Sequence, residues 1–123
     1  MSSLYKCSNC GKIIDVLNKK DIAVICCGNA MQEIVANTVD ASQEKHLPVY
    51  TREGNLVNVI VGSKNHPMDE NHYIEWVQLE TTQGIQRKFL KPNSEPKVVF
   101  AILEDEQIVS ISAYCNLHGL WKI

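Results

Sequence analysis

A chain of 123 residues with 45% apolar content and a net charge of -2 has material for one globular domain, or one with a small appendage. That charge gives no global attraction to nucleic acid or to an anionic membrane, and no segment approaches the roughly 20 apolar residues of a membrane helix. The opening Met1-Ser2-Ser3-Leu4-Tyr5-Lys6-Cys7 has no apolar stretch that could act as a signal peptide, so a cytoplasmic location is the default expectation. In a reducing compartment, clustered cysteines read as metal ligands or redox groups before disulfides, and the odd count of five agrees.

The first segment, to about Ala36, is bounded by cysteines. Cys7-Ser8-Asn9-Cys10 is a knuckle in which two thiolates two residues apart can share one ion while backbone amides point at the sulfurs. Ile13–Leu17 and Ile22–Ile25 predict two brief strands joined by the polar turn Asn18-Lys19-Lys20-Asp21. The second half of the thiol set, Cys26-Cys27, is adjacent where a zinc ribbon would supply another C-x-x-C. Adjacent thiolates on one ion force a constrained peptide and a distorted tetrahedron. Iron and zinc both accept four sulfurs, and a vicinal disulfide is a third possibility. A unit this short rarely buries enough apolar surface to fold alone, so a metal is the expected organiser.

From about Asn37 onward the pattern is β-rich. Leu56–Val61 follows the turn-like Glu53-Gly54-Asn55, Tyr73–Leu79 comes next, and Gln83-Gly84 marks a further turn. Lys97–Leu103 and Gln107–Tyr114 flank Glu104-Asp105-Glu106 and predict a hairpin. With no long amphipathic helix, short strands at this spacing favour an antiparallel sandwich or barrel. The loops then carry the remaining soft-metal donors: His46 near Pro48, His66 beside Pro67, His72, and His118 beside Gly119. Cys115-Asn116-Leu117-His118 repeats the short knuckle spacing with an imidazole in place of the second thiolate. The four thiols up to Cys27 contain no histidine among them, and His46, His66, His72, Cys115 and His118 account for every other cysteine and histidine. Several imidazoles with one thiolate suit a redox iron or copper centre, whereas four thiolates suit tetrahedral iron or zinc. Two sites with two jobs are expected.

These features, taken in order, resemble a known family. C-x-x-C followed by Cys26-Cys27, then Glu44-Lys45-His46, His66-Pro67-Met68, His72-Tyr73 and Tyr114-Cys115-Asn116-Leu117-His118-Gly119-Leu120-Trp121-Lys122 resemble the desulfoferrodoxins, the two-iron class of superoxide reductase. The resemblance spans nearly the whole chain. It implies a mainly β protein with a small rubredoxin- or desulforedoxin-like domain, residues 1–36, holding iron on Cys7, Cys10, Cys26 and Cys27. It also implies an immunoglobulin-like antiparallel β-sandwich, residues 37–123, holding a second iron on His46, His66, His72 and His118 in a plane, with Cys115 axial. For Glu44 it implies a sixth ligand to resting ferric iron, and for Lys45 a cation beside the open position. The implied cofactors are two iron ions per chain, without haem or inorganic sulfide.

The implied reaction is one-electron reduction of superoxide to hydrogen peroxide without release of oxygen. The implied partners are a rubredoxin-like electron donor and a second copy of the chain. Four neutral imidazoles and one thiolate would leave ferrous iron with net positive charge, attractive to a small anion, and the thiolate would favour its oxidation. Read without the resemblance, Glu44 and Lys45 are ordinary surface charges. The alternative function is a non-enzymatic electron carrier or redox-responsive protein whose histidine site is closed. Superoxide dismutase is the enzymatic rival, distinguished by oxygen evolution.

Overall fold

The computed structural model describes residues 3–123; Met1 and Ser2, the start of the segment expected to lack a signal peptide, lie outside the described residues. The chain divides into two compact units, Met1–Val35 and Ala36–Ile123. The only helix among the described residues is the single turn α1, Gln43–His46.

In the first unit, β1 (Leu4–Lys6) lies between β2 (Ile13–Asp15) and β5 (Gln32–Glu33) in an antiparallel sheet. The expected strand at Ile13–Leu17 is therefore shorter, and its partner is β1 rather than Ile22–Ile25. Only the end of that second stretch is extended. Here β3 (Ile25–Cys26) pairs with β4 (Asn29–Ala30) across Cys27-Gly28. Both turn residues have positive φ, 53° and 77°. This is the twist a two-residue hairpin needs, and it explains why two cysteines can stand side by side. Leu4, Cys7 and Met31 are the buried apolar residues, while Leu17 (88%) and Ile22 (82%) are exposed. So little core agrees with a unit that relies on cross-linking for its fold.

The second unit is a sandwich of two antiparallel sheets. One has the order β10 (Lys97–Ala101), β7 (Leu56–Val61), β6 (Pro48–Glu53). The other runs β12 (Gly119–Lys122), β11 (Ile108–Cys115), β8 (Ile74–Thr81), β9 (Gly84–Phe89). Alternation explains the core: Val57, Val59 and Val61 of β7 and Val98 and Phe100 of β10 face Val77, Leu79, Ile111 and Ala113 from the opposite sheet. Each fully buried aliphatic or aromatic side chain contributes about 1.5–3 kcal/mol. Cys115, at the end of β11, is part of this cluster and fully buried.

The expected hairpin across Glu104-Asp105-Glu106 does not form, because β10 pairs with β7 and β11 with β8 and β12. The connection crosses between sheets. Arg52 organises it by donating to the carbonyls of Leu103 and Glu104 at 3.1 and 3.0 Å and to that of Glu106. Glu106 is buried, accepting from the Leu103 amide at 2.8 Å and from the Thr81 hydroxyl. Where edge strands β9 and β10 meet, Gln86 donates to the Ala101 carbonyl at 2.9 Å and Lys88 to that of Val99. Side chains thus occupy carbonyls that a β10 ladder partner would otherwise take.

Candidate metal centres

Cys7 and Cys10 sit on the connection between β1 and β2; Cys26 ends β3, and Cys27 opens the tight turn. Their four sulfurs lie within 4.8 Å of one another. The Cys10–Cys26 and Cys26–Cys27 separations are 3.6 and 3.9 Å, and no cysteine is bonded to another. A tetrahedral ion with metal–sulfur bonds of about 2.3 Å sets sulfur–sulfur edges of about 3.8 Å, so the residues fit one. The Cys10 amide, helped by that of Asn9, pushes the Cys7 thiol down to about 6. The neighbouring sulfurs of Cys10 and Cys7 instead push Cys26 up to about 12. Ionising Cys7 and Cys26 together is therefore disfavoured without a metal; a cation between the sulfurs removes that conflict.

The second set forms a closed ring of imidazoles. Centroids of successive rings, His46–His66, His66–His72, His72–His118 and His118–His46, are 4.6, 4.7, 5.1 and 4.9 Å apart, with interplanar angles of 76° to 85°. His46 Nε2 lies 3.2 Å from His66 Nε2 and 3.1 Å from His118 Nδ1. Metal–nitrogen bonds of about 2.1 Å at right angles set edges of about 3.0 Å.

Hydrogen bonds on the far side of two rings decide what these short contacts mean. His46 Nδ1 donates to the Ser42 carbonyl and His66 Nδ1 to the Pro67 carbonyl, each at 2.6 Å. In the neutral rings both Nε2 atoms then present lone pairs to each other, an arrangement that calls for a cation between them. Burial favours the neutral form of three of these rings, pushing His46 and His72 below the ordinary imidazole range and His66 down to about 4. His72 Nε2 is likewise buried without a hydrogen-bond partner. Neutral imidazoles with inward lone pairs fit a metal ion.

Cys115 approaches from the sandwich core, its sulfur 3.8 Å from His118 Nδ1. Burial pushes its thiol up, opposed by the amides of Leu117 and His118 pointing at the sulfur. This is the Cys7 knuckle repeated: in both, amides two and three residues on face the sulfur, and a glycine follows with φ near 80° (Gly11, 80°; Gly119, 78°). Trp121, buried, packs on the His46 ring at 4.9 Å and donates to the His118 carbonyl at 3.0 Å, so it touches two members of the ring.

All nine donors expected from the sequence therefore fall into the two expected sets. His46 differs from its expected loop setting: it is the last residue of α1. Glu44 and Lys45 share that turn and are exposed. The Glu44 carboxylate lies 3.8 Å from Lys64, while the Lys45 charge contributes to holding His46 and His72 neutral. A residue that sequence reasoning missed is Gly62, where a Cβ would stand 2.5 Å from the Glu44 carbonyl oxygen and 2.8 Å from that of Leu47. No other residue lets β7 pass this close to α1.

The family model described as desulfoferrodoxin matches residues 38–123, and that for the desulfoferrodoxin N-terminal domain matches residues 1–34. The chain belongs to the desulfoferrodoxin family. It is 47% identical over 119 residues to a desulfoferrodoxin homologue of Archaeoglobus fulgidus, covering 97% of this chain and 94% of that one. It is 42% identical to the desulfoferrodoxin of Nitratidesulfovibrio vulgaris, covering 97% and 93%. The crystal structure of the superoxide reductase from Treponema pallidum superposes with a TM-score of 0.84 at 36% identity, covering 100% of this chain and 98% of that one. The two donor sets are those of the two-iron members of this family. No helix among the described residues is long and apolar enough to cross a membrane.

Proposed function

We propose that this chain is a superoxide reductase, converting superoxide, one electron and two protons to hydrogen peroxide with no oxygen released. The observation that carries this reading is the closed ring of four imidazoles with a buried thiol beside it, in a chain of this family. Iron, when bound there, supplies the electron and a position for the anion. His46, His66, His72, His118 and Cys115 would hold it, and the buried Cys115 sulfur would donate charge to it. Cys7, Cys10, Cys26 and Cys27 hold the first iron in a desulforedoxin-like domain, residues 1–36, ahead of the catalytic sandwich, residues 37–123.

Lys45 attracts the anion and can donate a hydrogen bond to it; its influence on His46 and His72 supports a place beside the ring. Glu44, on the turn that ends in His46, would supply a further carboxylate ligand to the oxidised iron. Its exposed pairing with Lys64 is weak enough to give up for that role. A rubredoxin-like protein re-reduces the centre, in the cytoplasm. A second copy of the chain covers Leu17 and Ile22, whose exposure on so small a unit supports a homodimer.

Superoxide decay followed together with peroxide and oxygen tests the reading. One peroxide per superoxide and no oxygen is expected with a reductant present; one oxygen for every two superoxide would make the protein a dismutase. If neither cyanide nor azide perturbs the second iron, the site is closed and the protein is an electron carrier. Oxidation of reduced rubredoxin under superoxide flux tests the donor, and sedimentation tests the dimer.

A further inference from the structure

His72 is held differently from the rings beside it. The His46 and His66 rings are each anchored by an Nδ1–H donated to a backbone carbonyl, and the His118 peptide is anchored by the Trp121 indole. Among the described residues, the His72 ring has no hydrogen bond to protein. Its backbone bonds only within its own loop, the His72 carbonyl accepting from the Asp69 amide at 2.9 Å and the His72 amide donating to the Asp69 carbonyl at 3.2 Å.

What ties this loop to the rest of the centre is Asn116, the residue after Cys115. The β11–β8 ladder shifts register between Tyr114 and Cys115, then ends at the pair Cys115–Ile74. Beyond that point β11 turns into the knuckle, and the side chain of Asn116 continues the ladder. Its Oδ1 accepts from the Tyr73 amide at 2.9 Å, and its Nδ2 donates to the Asn71 carbonyl at 3.0 Å. The Asn116 amide adds a bond to the Tyr73 carbonyl at 3.2 Å. One side chain therefore grips the residues before and after His72 and sits next to the buried thiol.

We infer that Asn116 is a positioning residue: it sets the His72 ring against the Cys115 sulfur, so that the two donors would meet one ion in fixed relation. Both amide functions are needed, one donating and one accepting, which a carboxylate, a hydroxyl or an apolar side chain of similar size does not supply. Loss of a residue that orients a ligand without touching the metal typically costs about 10–100-fold in metal affinity.

The inference rests on the two-iron reading, and the four-thiolate site supplies an internal reference. Iron would be withdrawn by graded chelator from full-length wild type, Asn116→Ala and Asn116→Asp, with each centre followed by its own visible band and circular dichroism reporting the fold. For N116A the expected result is iron release from the histidine site at about 10-fold lower chelator or less, with a displaced thiolate-to-iron band and the first site unchanged. N116D keeps the acceptor for the Tyr73 amide and loses the donor to Asn71, so it should fall between N116A and wild type; if N116A does not fold, N116D alone carries the test. Wild-type iron retention and an unmoved band in the folded variants, even with a lower melting temperature, would reduce Asn116 to a structural residue and overturn the inference. A wild type that takes up one iron instead of two would overturn the inference together with the two-iron reading beneath it.

Discussion

At the scale of single residues, the donors were the most legible part of this chain. Cysteine and histidine have few reasons to gather, and here all nine fall into two sets with none left over. What the sequence does not carry is the partner of each donor. The carbonyls of Ser42 and Pro67 that orient His46 and His66 are backbone groups any residue could supply. Lys45 is singled out only through its neighbours Glu44 and His46. Lys45→Ala should lower the bimolecular rate of superoxide capture and flatten its dependence on ionic strength, because attraction between exposed charges is what salt screens; pulse radiolysis at several salt concentrations reads both, and an unchanged rate removes Lys45 from the mechanism.

Glu106 is a residue-scale lesson of the opposite kind. Within Glu104-Asp105-Glu106 it reads as turn charge, yet it is buried and takes the Thr81 hydroxyl and the Leu103 amide. The Thr81 hydroxyl first, and then that amide, hold its carboxyl below the usual carboxylate range. A depressed carboxyl stabilises the fold above its unfolded value of about 4.3, and the contribution disappears as pH falls through the lower folded value. Glu106→Gln should therefore be less stable than wild type near pH 7, with the gap closing in acid below about pH 4. Urea unfolding of both proteins across that range checks the sign; a gap that widens on acidification contradicts it.

At the scale of elements, β7 was placed from its run of β-formers, and β8 overlapped its expected span, because alternation and turn residues are local signals. The β10–β11 hairpin failed because pairing is not local. A three-residue polar link suits a hairpin, but here the chain crosses to the other sheet, and Arg52, far away in sequence, takes the carbonyls of Leu103, Glu104 and Glu106. Gly62 shows the same limit, since its need for a bare Cα arises from α1, an element remote in sequence. Gly62→Ala should push the Glu44-Lys45-His46 turn away from β7. It should cost about 1–3 kcal/mol of stability, as overpacking does. It should also slow superoxide capture without removing the iron. Parallel measurement of unfolding, iron content and capture rate separates this from general damage; wild-type stability would show that α1 gives way freely.

At the scale of the molecule, two units with separate donor sets make a selective lesion possible. Cys10→Ser should bleach the tetrathiolate band and leave superoxide reacting with the pre-reduced second iron at close to the wild-type rate; stopped-flow spectra after chemical reduction read both. Loss of the second centre as well would mean that the first unit supports the fold of the other. The sandwich class was legible from strand spacing and the small unit from its cysteines, but the β1 strand was missed because three residues carry too little pattern.

The burial of Cys115 among Val, Ile and Phe side chains has a consequence for working life. Sulfur ligands fail by stepwise oxygenation to sulfenic and sulfinic acids, and susceptibility follows thiolate character and access. An enzyme that releases an oxidant beside its own sulfur ligand needs that sulfur shielded, and here the sandwich interior provides the shield. Cys10 and Cys27 have no such cover. As peroxide builds up around the protein, wear begins at the outer thiols, and the centre that makes the peroxide is the last to suffer from it.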